Sequence, residues 1–307
     1  MSIDRTELQD NARKAFGEAG LVPDADASWA NLAEMGWFMM TVPEELGGLG
    51  MGREAAGVIH YELGRALVPG PTIAQMLVIK ALAAAGQDEH LQRAMGGEVM
   101  TTDLCHALDA DKASHILLVS DDGVVLAPIA SAAHRVTWDE TRRLFDVATG
   151  DEVILAKGAD AAALANRLRS DLLLMIAADS IGGAEAALSM TIDYLTTRRQ
   201  FDRPLAMFQA LKHRVADLKI AHKAVEALFW DRATGEPGLA QMGALKAHCT
   251  KAYATIAEEA IQLHGGIGLT QEHPCHLFLK RALLNCALGG DADHWEEMAG
   301  RALIERR

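Results

Sequence analysis

Residues 192–211, IDYLTTRRQFDRPLAMFQAL, constrain this chain more than any other stretch. A helical run ends on Arg198 and Arg199, a break follows at residues 200–204, and a second helical run opens near Met207 with Phe208 and Gln209 in its first turn. Pro204 has no N–H and disfavours helical geometry in the residue before it, so the break is a corner between two helices. The corner gathers guanidiniums, an amide and an aromatic ring. Arginine's planar fork matches phosphate oxygens, and the same cations also suit any helix end, where they complement the dipole. A second punctuated helix end lies at residues 257–274, AEEAIQLHGGIGLTQEHP, where Gln262 and His264 precede Gly265, Gly266 and Gly268. Glycine there serves a plain C-cap or a backbone that a ligand approaches closely.

The remaining helical segments set these two corners in a bundle. From about residue 161 the pattern is helical to the end, with runs at 172–196, 207–234, 238–264 and 274–307 of four-helix-bundle length and periodicity. The loop at residues 235–238 separates the second from the third. Ala177, Ala178, Ala184, Ala186 and Ala187 predict close helix contact and an oligomer. Residues 1–97 also read as helices, with Ile3, Leu8 and Phe16 forming a loose stripe over the first and further helices at 55–67 and 72–85. The glycines at 48, 50 and 52 follow Val42 and Pro43, not a strand, so they mark a turn rather than a dinucleotide fingerprint. Between residues 98 and 160 the runs 115–119, 124–127 and 151–155 have strand character, with a hairpin turn at Asp121-Asp122-Gly123. The predicted fold is mainly α with a small β-domain, in the order 1–97 helical, 98–160 β, 161–307 four-helix bundle.

Composition excludes several functions. A net charge of −13 over 307 residues argues against a nucleic-acid partner, whose phosphates demand basic patches. Cys105, Cys249, Cys275 and Cys286 show no metal-ligand spacing and read as reduced thiols. The polar N-terminus is no signal peptide, and no uninterrupted apolar run predicts a membrane span. A cytoplasmic protein is expected.

The spacing of R-x-Q-F, F-Q and Q-L-H-G-G-x-G resembles the C-terminal half of the acyl-CoA dehydrogenases. Residues 32–37 (LAEMGW), 42–50 (VPEELGGLG) and 61–67 (YELGRAL), with Pro69-Gly70-Pro71, are similar to the family's N-terminal part. The resemblance implies a helical N-terminal domain, a middle β-domain (here shortened) and a C-terminal four-helix bundle. It implies FAD as cofactor and an acyl-CoA thioester as substrate. In the family, the corner and the helix end hold the adenosine diphosphate part of a partner subunit's FAD. Carried over, this puts Arg198, Gln200, Phe201 and Gln209 on one side of that clamp and Gln262, Gly265 and Gly266 on the other. Asp202 stands where the family usually has glycine, with Arg199 or Arg203 expected to offset its charge. Trp138 does not match the family's flavin-ring segment.

The family also needs a carboxylate to take the α-proton. Its usual position falls on Gly289, and an alternative one near Leu172 and Leu173; neither is a glutamate. Asp291 and Asp171 are the remaining acidic candidates, Asp171 reading more simply as a helix N-cap, while Glu258 and Glu259 read as a solvated helix face. No catalytic residue is therefore assigned. This pattern resembles the short, base-less subunit of heteromeric, steroid side-chain-type bacterial acyl-CoA dehydrogenases. The implied partner is a longer subunit carrying the glutamate, in a heterotetramer. Two alternatives stand beside it: a self-sufficient homo-oligomer with an unusual base, and a flavin-free scaffold of the same fold.

Overall fold

The computed structural model describes residues 5–17, 20–235 and 237–305; Ile3 of the expected first stripe and Glu236 of the expected loop lie outside them. The N-terminal part is helical: α1 (Arg5–Gly17), α2 (Ala25–Glu34), α3 (Arg53–Arg65), α4 (Thr72–Ala85) and α5 (Asp88–Met95). Asp24 starts α2 by accepting the Ala27 N–H at 2.8 Å, the capping role its short acceptor side chain favours. A single turn, Glu44–Leu46, and a loop carry the chain into α3, so the glycines at 48–52 follow no strand, as expected.

The β region has five strands: β1 (Met100–Thr102), β2 (His115–Val119), β3 (Gly123–Arg135), β4 (Leu144–Thr149) and β5 (Val153–Lys157). The hairpin between β2 and β3 turns where expected, pairing Leu117 with Leu126 and Val119 with Val124. The sequence pattern missed β1 and β4 and ended β3 at Ala127. Beyond a register shift between Ile129 and Ser131, β3 continues along β4, although residues 130–135 (ASAAHR) carry little apolar alternation. Pairing with β4, not side-chain burial, holds that half in the strand.

Directly after β5, α6 (Gly158–Thr197) begins, well before the expected start at Leu172. Its 40 residues make a rod of about 60 Å. An 18-residue window of it is apolar enough to cross a membrane, but 83% of that window is buried. α6 is the central core helix, and its apolar length is spent on neighbours within the chain. α7 (Gln209–Thr234) and α8 (Leu239–His264) follow the expected runs. The expected last helix is two, α9 (Cys275–Ala287) and α10 (Ala292–Glu305). Gly289 and Gly290 have φ of +68° and +95°, values that end a helix, and Asp291 caps α10 by accepting the His294 N–H at 2.9 Å.

The α3–α6 crossing is in backbone contact: a Cβ on Gly64 would lie 2.2 Å from the Asp179 carbonyl oxygen, and one on Gly182 1.9 Å from that of Tyr61. Ala177, Ala178, Ala184 and Ala187 are buried within the chain. Four alanines of the five-residue cluster thus pack inside the protomer, and Ala186 is half-buried.

The three regions of the sequence meet at one polar knot. Asp179 of α6 is fully buried between Arg142, on the β3–β4 loop, and Arg281 of α9. Arg142 Nη2 and Arg281 Nη2 each donate to Asp179 Oδ1 at 2.8 Å. Asn285 Nδ2 donates to Oδ2 at 2.7 Å, and Arg142 Nη1 donates to Asn285 Oδ1 at 2.7 Å. Arg281 also reaches the Val68 carbonyl at 3.2 Å and the Thr141 hydroxyl at 2.6 Å. Burial alone would raise the Asp179 carboxyl, but Arg142 and Arg281 outweigh it and hold the group well below the usual carboxylate range.

Candidate functional site

The corner after α6 folds as a two-residue hairpin. β6 (Arg199–Gln200) pairs with β7 (Arg203–Pro204), and the turn residues Phe201 and Asp202 have φ of +52° and +62°. Both central residues at positive φ define a tight turn of the primed type, where aspartate is among the few non-glycine residues tolerated. Asp202 thus occupies the family's glycine position without breaking the turn. Neither neighbouring cation meets its carboxylate: Arg199 Nη2 donates to the Asp202 carbonyl at 2.7 Å, and Arg203 sits 4.0 Å above the Phe208 ring. Phe208 precedes α7 as its capping residue rather than standing in its first turn. The Phe201 ring packs edge-on to Phe208 and is 84% exposed. The exposed guanidinium of Arg198 and the amides of Gln209 and Gln262 have no partner among the described residues. The Gln200 amide bonds only the adjoining Arg199 carbonyl.

The helix end of α8 lies against the same end of α6. Tyr194, one turn before Arg198, stacks on His264 with ring centroids 4.4 Å apart, and His273 packs 4.3 Å from His264 on its own ring contact. The helix ends that carry the two motifs are therefore neighbours within one protomer. His264 Nδ1 lies 2.7 Å from the Ala260 carbonyl. A carbonyl only accepts, so Nδ1 carries the proton and Nε2 is a bare acceptor; it is buried and unpartnered among the described residues. Burial lowers the His264 pKa, which favours the neutral ring. Gly265 takes φ +64°, and a Cβ on Gly265 or Gly266 would meet nothing within 4 Å. An unpaired guanidinium, free amides and an open glycine backbone fit the diphosphate of a dinucleotide cofactor.

The two expected base positions are one place in space. A Cβ on Gly289 would lie 3.1 Å from Leu172 Cδ2 and 3.4 Å from Ile176 Cδ1, and both side chains are buried in the main core. No carboxylate reaches that spot from the weaker candidates. Asp291 is exposed and spent as the α10 cap. Asp171 lies in the interior of α6, not at its N-terminus as expected, and is ion-paired to Arg53 at 3.3 Å and to Lys80. Glu259, read as a solvated face, bridges α8 to Arg214 of α7 at 2.9 Å. Trp138 stands 74% exposed on the β3–β4 loop.

Lys246 of α8 holds the loop that carries Gly289. Its ammonium donates to the carbonyls of Cys286 at 2.9 Å and Gly290 at 2.6 Å. Burial lowers its pKa from 10.5 to about 8. The unfolded chain binds this proton more tightly than the fold between those values, so the side chain's contribution rises with pH from 8 to 10.5. Between pH 7.5 and 10 the denaturation midpoint of wild type is expected to rise relative to that of Lys246→Met. A difference independent of pH would show that Lys246 is not strained by its burial.

Neither Lys246 nor the Arg142–Asp179–Arg281 knot stood out in the sequence. The available signal was a charge inside an otherwise apolar helical stripe: Asp179 among IAADSIGG, Arg281 in FLKRALL and Lys246 in GALKAH.

Residues 4–97 match the N-terminal domain of the acyl-CoA dehydrogenases, and residues 173–304 match their C-terminal domain. The acyl-CoA dehydrogenase IpdE2 of Mycobacterium tuberculosis is 35% identical over 266 residues, covering 84% of this chain and 80% of the relative. Among solved structures, the Tcur3481–Tcur3483 steroid ACAD G363A variant superposes with a TM-score of 0.86 at 23% identity, over 98% of each chain. The ChsE4–ChsE5 complex of Mycobacterium tuberculosis superposes with a TM-score of 0.84 at 21% identity, over 99% of this chain and 98% of that one. Helices, a small sheet and helices follow one another in the same order, and the chain belongs to the acyl-CoA dehydrogenase family.

Proposed function

We propose that this chain is the base-less subunit of a heteromeric acyl-CoA dehydrogenase, completing the FAD site of a longer partner. The observation that carries the proposal is the aliphatic contact at Gly289: both positions where the family places its glutamate converge there, on Leu172 and Ile176. Among the described residues no carboxylate lies at that spot, so the α-proton is taken by a glutamate of the longer subunit. FAD, when bound, supplies the acceptor for the hydride leaving the β-carbon. Arg198 pairs with its diphosphate oxygens, Gln262 and Gln209 offer amides, and the backbone at Gly265 and Gly266 leaves room for close approach. Phe201 presents its exposed ring beside the same face, with Gln200 at the turn.

The regions 1–97, 98–160 and 161–307 are taken as the three domains of this subunit. A bulky, ring-bearing acyl-CoA is the proposed substrate of the assembled enzyme, a reading supported by the relative described as a steroid ACAD. A heterotetramer is the proposed assembly, supported by the two-component complexes among the structural neighbours. Four unpaired thiols fit a cytoplasmic setting.

A flavin absorbance spectrum of the chain purified alone, and again after co-expression with a longer acyl-CoA dehydrogenase subunit, tests this. Colourless alone and yellow and active together is the expected result. Yellow and active alone would overturn it in favour of a self-sufficient enzyme. Flavin-free in both would favour the scaffold. A related expectation concerns Gly289→Glu, which forces a left-handed conformation on a residue with a side chain and drives a carboxylate into Leu172. It is expected to destabilise the chain by about 2 kcal/mol or more and to restore no dehydrogenase activity without a partner. Activity from the lone variant would show that only the base was missing.

A further inference from the structure

Asp171 belongs to a second pocket, unrelated to the flavin face. About 190 Å³ of space opens between α3, α4 and α6. Its apolar wall is Met51, Met76, Leu77 and Met175, and its polar end is Arg53, Lys80 and Asp171. Asp171 pairs with both cations, so one carboxylate answers two positive charges. Glu54, the next residue along α3, does not correct the balance, because it turns to Arg5 at 3.5 Å. Arg53 Nη2 donates to the Ser170 hydroxyl at 3.1 Å, and its Nε lies 3.3 Å from Asp171 Oδ1. Gly52 begins α3 with no side-chain cap, leaving first-turn N–H groups at the pocket wall without a side-chain acceptor. One more cation than carboxylate, beside a helix start with no side-chain cap, points one acceptor charge into a space otherwise lined with thioethers and aliphatic carbon.

We propose that this pocket binds a small monocarboxylate with a short apolar chain. The carboxylate lies against Arg53 and Lys80, bidentate to the guanidinium fork. The chain lies among the methionines, whose flexible side chains adapt to irregular apolar ligands. The volume is roughly six times a water's share of about 30 Å³ in the liquid, which suits a chain of butyrate to hexanoate size. Asp171 competes with such a ligand for the same two cations, and this gives the proposal a sign. Removing the Asp171 charge should tighten binding, whereas a purely structural ion pair would only lose stability.

The test titrates hexanoate, hexanol and hexylamine into the full-length chain by calorimetry and saturation-transfer NMR. Saturable binding of hexanoate in the millimolar range or tighter, with hexanol and hexylamine much weaker, is expected. Arg53→Gln and Lys80→Met should each weaken hexanoate by about tenfold, the worth of roughly 1.4 kcal/mol, and Asp171→Asn should strengthen it. Lys80→Met carries the test if Arg53→Gln does not fold. Equal binding of hexanol would show an apolar void with no anion site. No saturable hexanoate binding, or weaker binding in Asp171→Asn, would equally overturn the proposal. No flavin or partner enters this test, so it stands apart from the proposed subunit role.

Discussion

Asp179→Ala is expected to remove about 3–5 kcal/mol of folding stability, because it leaves Arg142 and Arg281 buried and facing each other without a counter-charge. Against the 5–15 kcal/mol typical of a whole domain, that loss brings the chain close to unfolding. Asp179→Asn keeps an acceptor but not the charge and should fall between the two. A triple replacement of Arg142, Asp179 and Arg281 by similarly sized apolar residues should recover most of the loss, since a buried ion pair contributes more to uniqueness than to stability. Equilibrium urea unfolding decides it. A loss under about 1 kcal/mol in the alanine variant would mean that solvent already reaches the knot. The pH dependence follows from the lowered Asp179 pKa. Its contribution is fully present above the unfolded value of about 4 and is lost as pH falls through the lower folded value. The stability difference between wild type and Asp179→Ala should therefore be level above pH 4 and shrink under strong acid.

Arg198→Ala is expected to release flavin from the assembled complex. Hydrogen bonds to a charged group contribute about 1.5–3 kcal/mol, so affinity should drop by roughly 10- to 100-fold. Flavin retained through gel filtration, and fluorescence titration of the stripped complex, measure this. Arg198→Lys should restore only part, because a point charge does not reproduce the bidentate fork. The guanidinium is exposed and has no intrachain partner, so the folding stability of the chain should stay within about 0.5 kcal/mol of wild type. That unchanged stability separates a ligand contact from a structural one. Flavin retention equal to wild type would show that the clamp does not run through Arg198.

The local chemistry of the corner was legible because it lies in covalent sequence. Pro204 keeps the stretch before it out of a helix and Gly265 ends α8 through their own backbone preferences, whatever surrounds them. The same holds for β2 and the turn after it, where apolar alternation and Asp121-Asp122-Gly123 are local signals. Strand β4 and the second half of β3 escaped because each is held by pairing with the other, which no single-strand pattern records. The sequence read as helical from about residue 161 but began the first bundle helix only at Leu172; that residues 158–171 run into it without a break was decided by their packing on the sheet and α4.

The same contrast runs through the candidate site. From the sequence alone came the family, the absence of a glutamate at 289 or 172, and the residues proposed to meet a diphosphate, since all of these depend on which side chain stands at which position. Tertiary structure decided that 289 and 172 are one place, that Tyr194 and His264 bring the two helix ends together, and that Asp171 is held by Arg53 and Lys80 rather than capping a helix. It also decided that Asp179 joins α6, α9 and the β3–β4 loop. These are contacts between residues far apart in the chain, fixed by the way α6 packs against α3 at Gly64 and Gly182, where the absence of two Cβ atoms lets the backbones touch. Identity is a property of each residue, but proximity is a property of the packing.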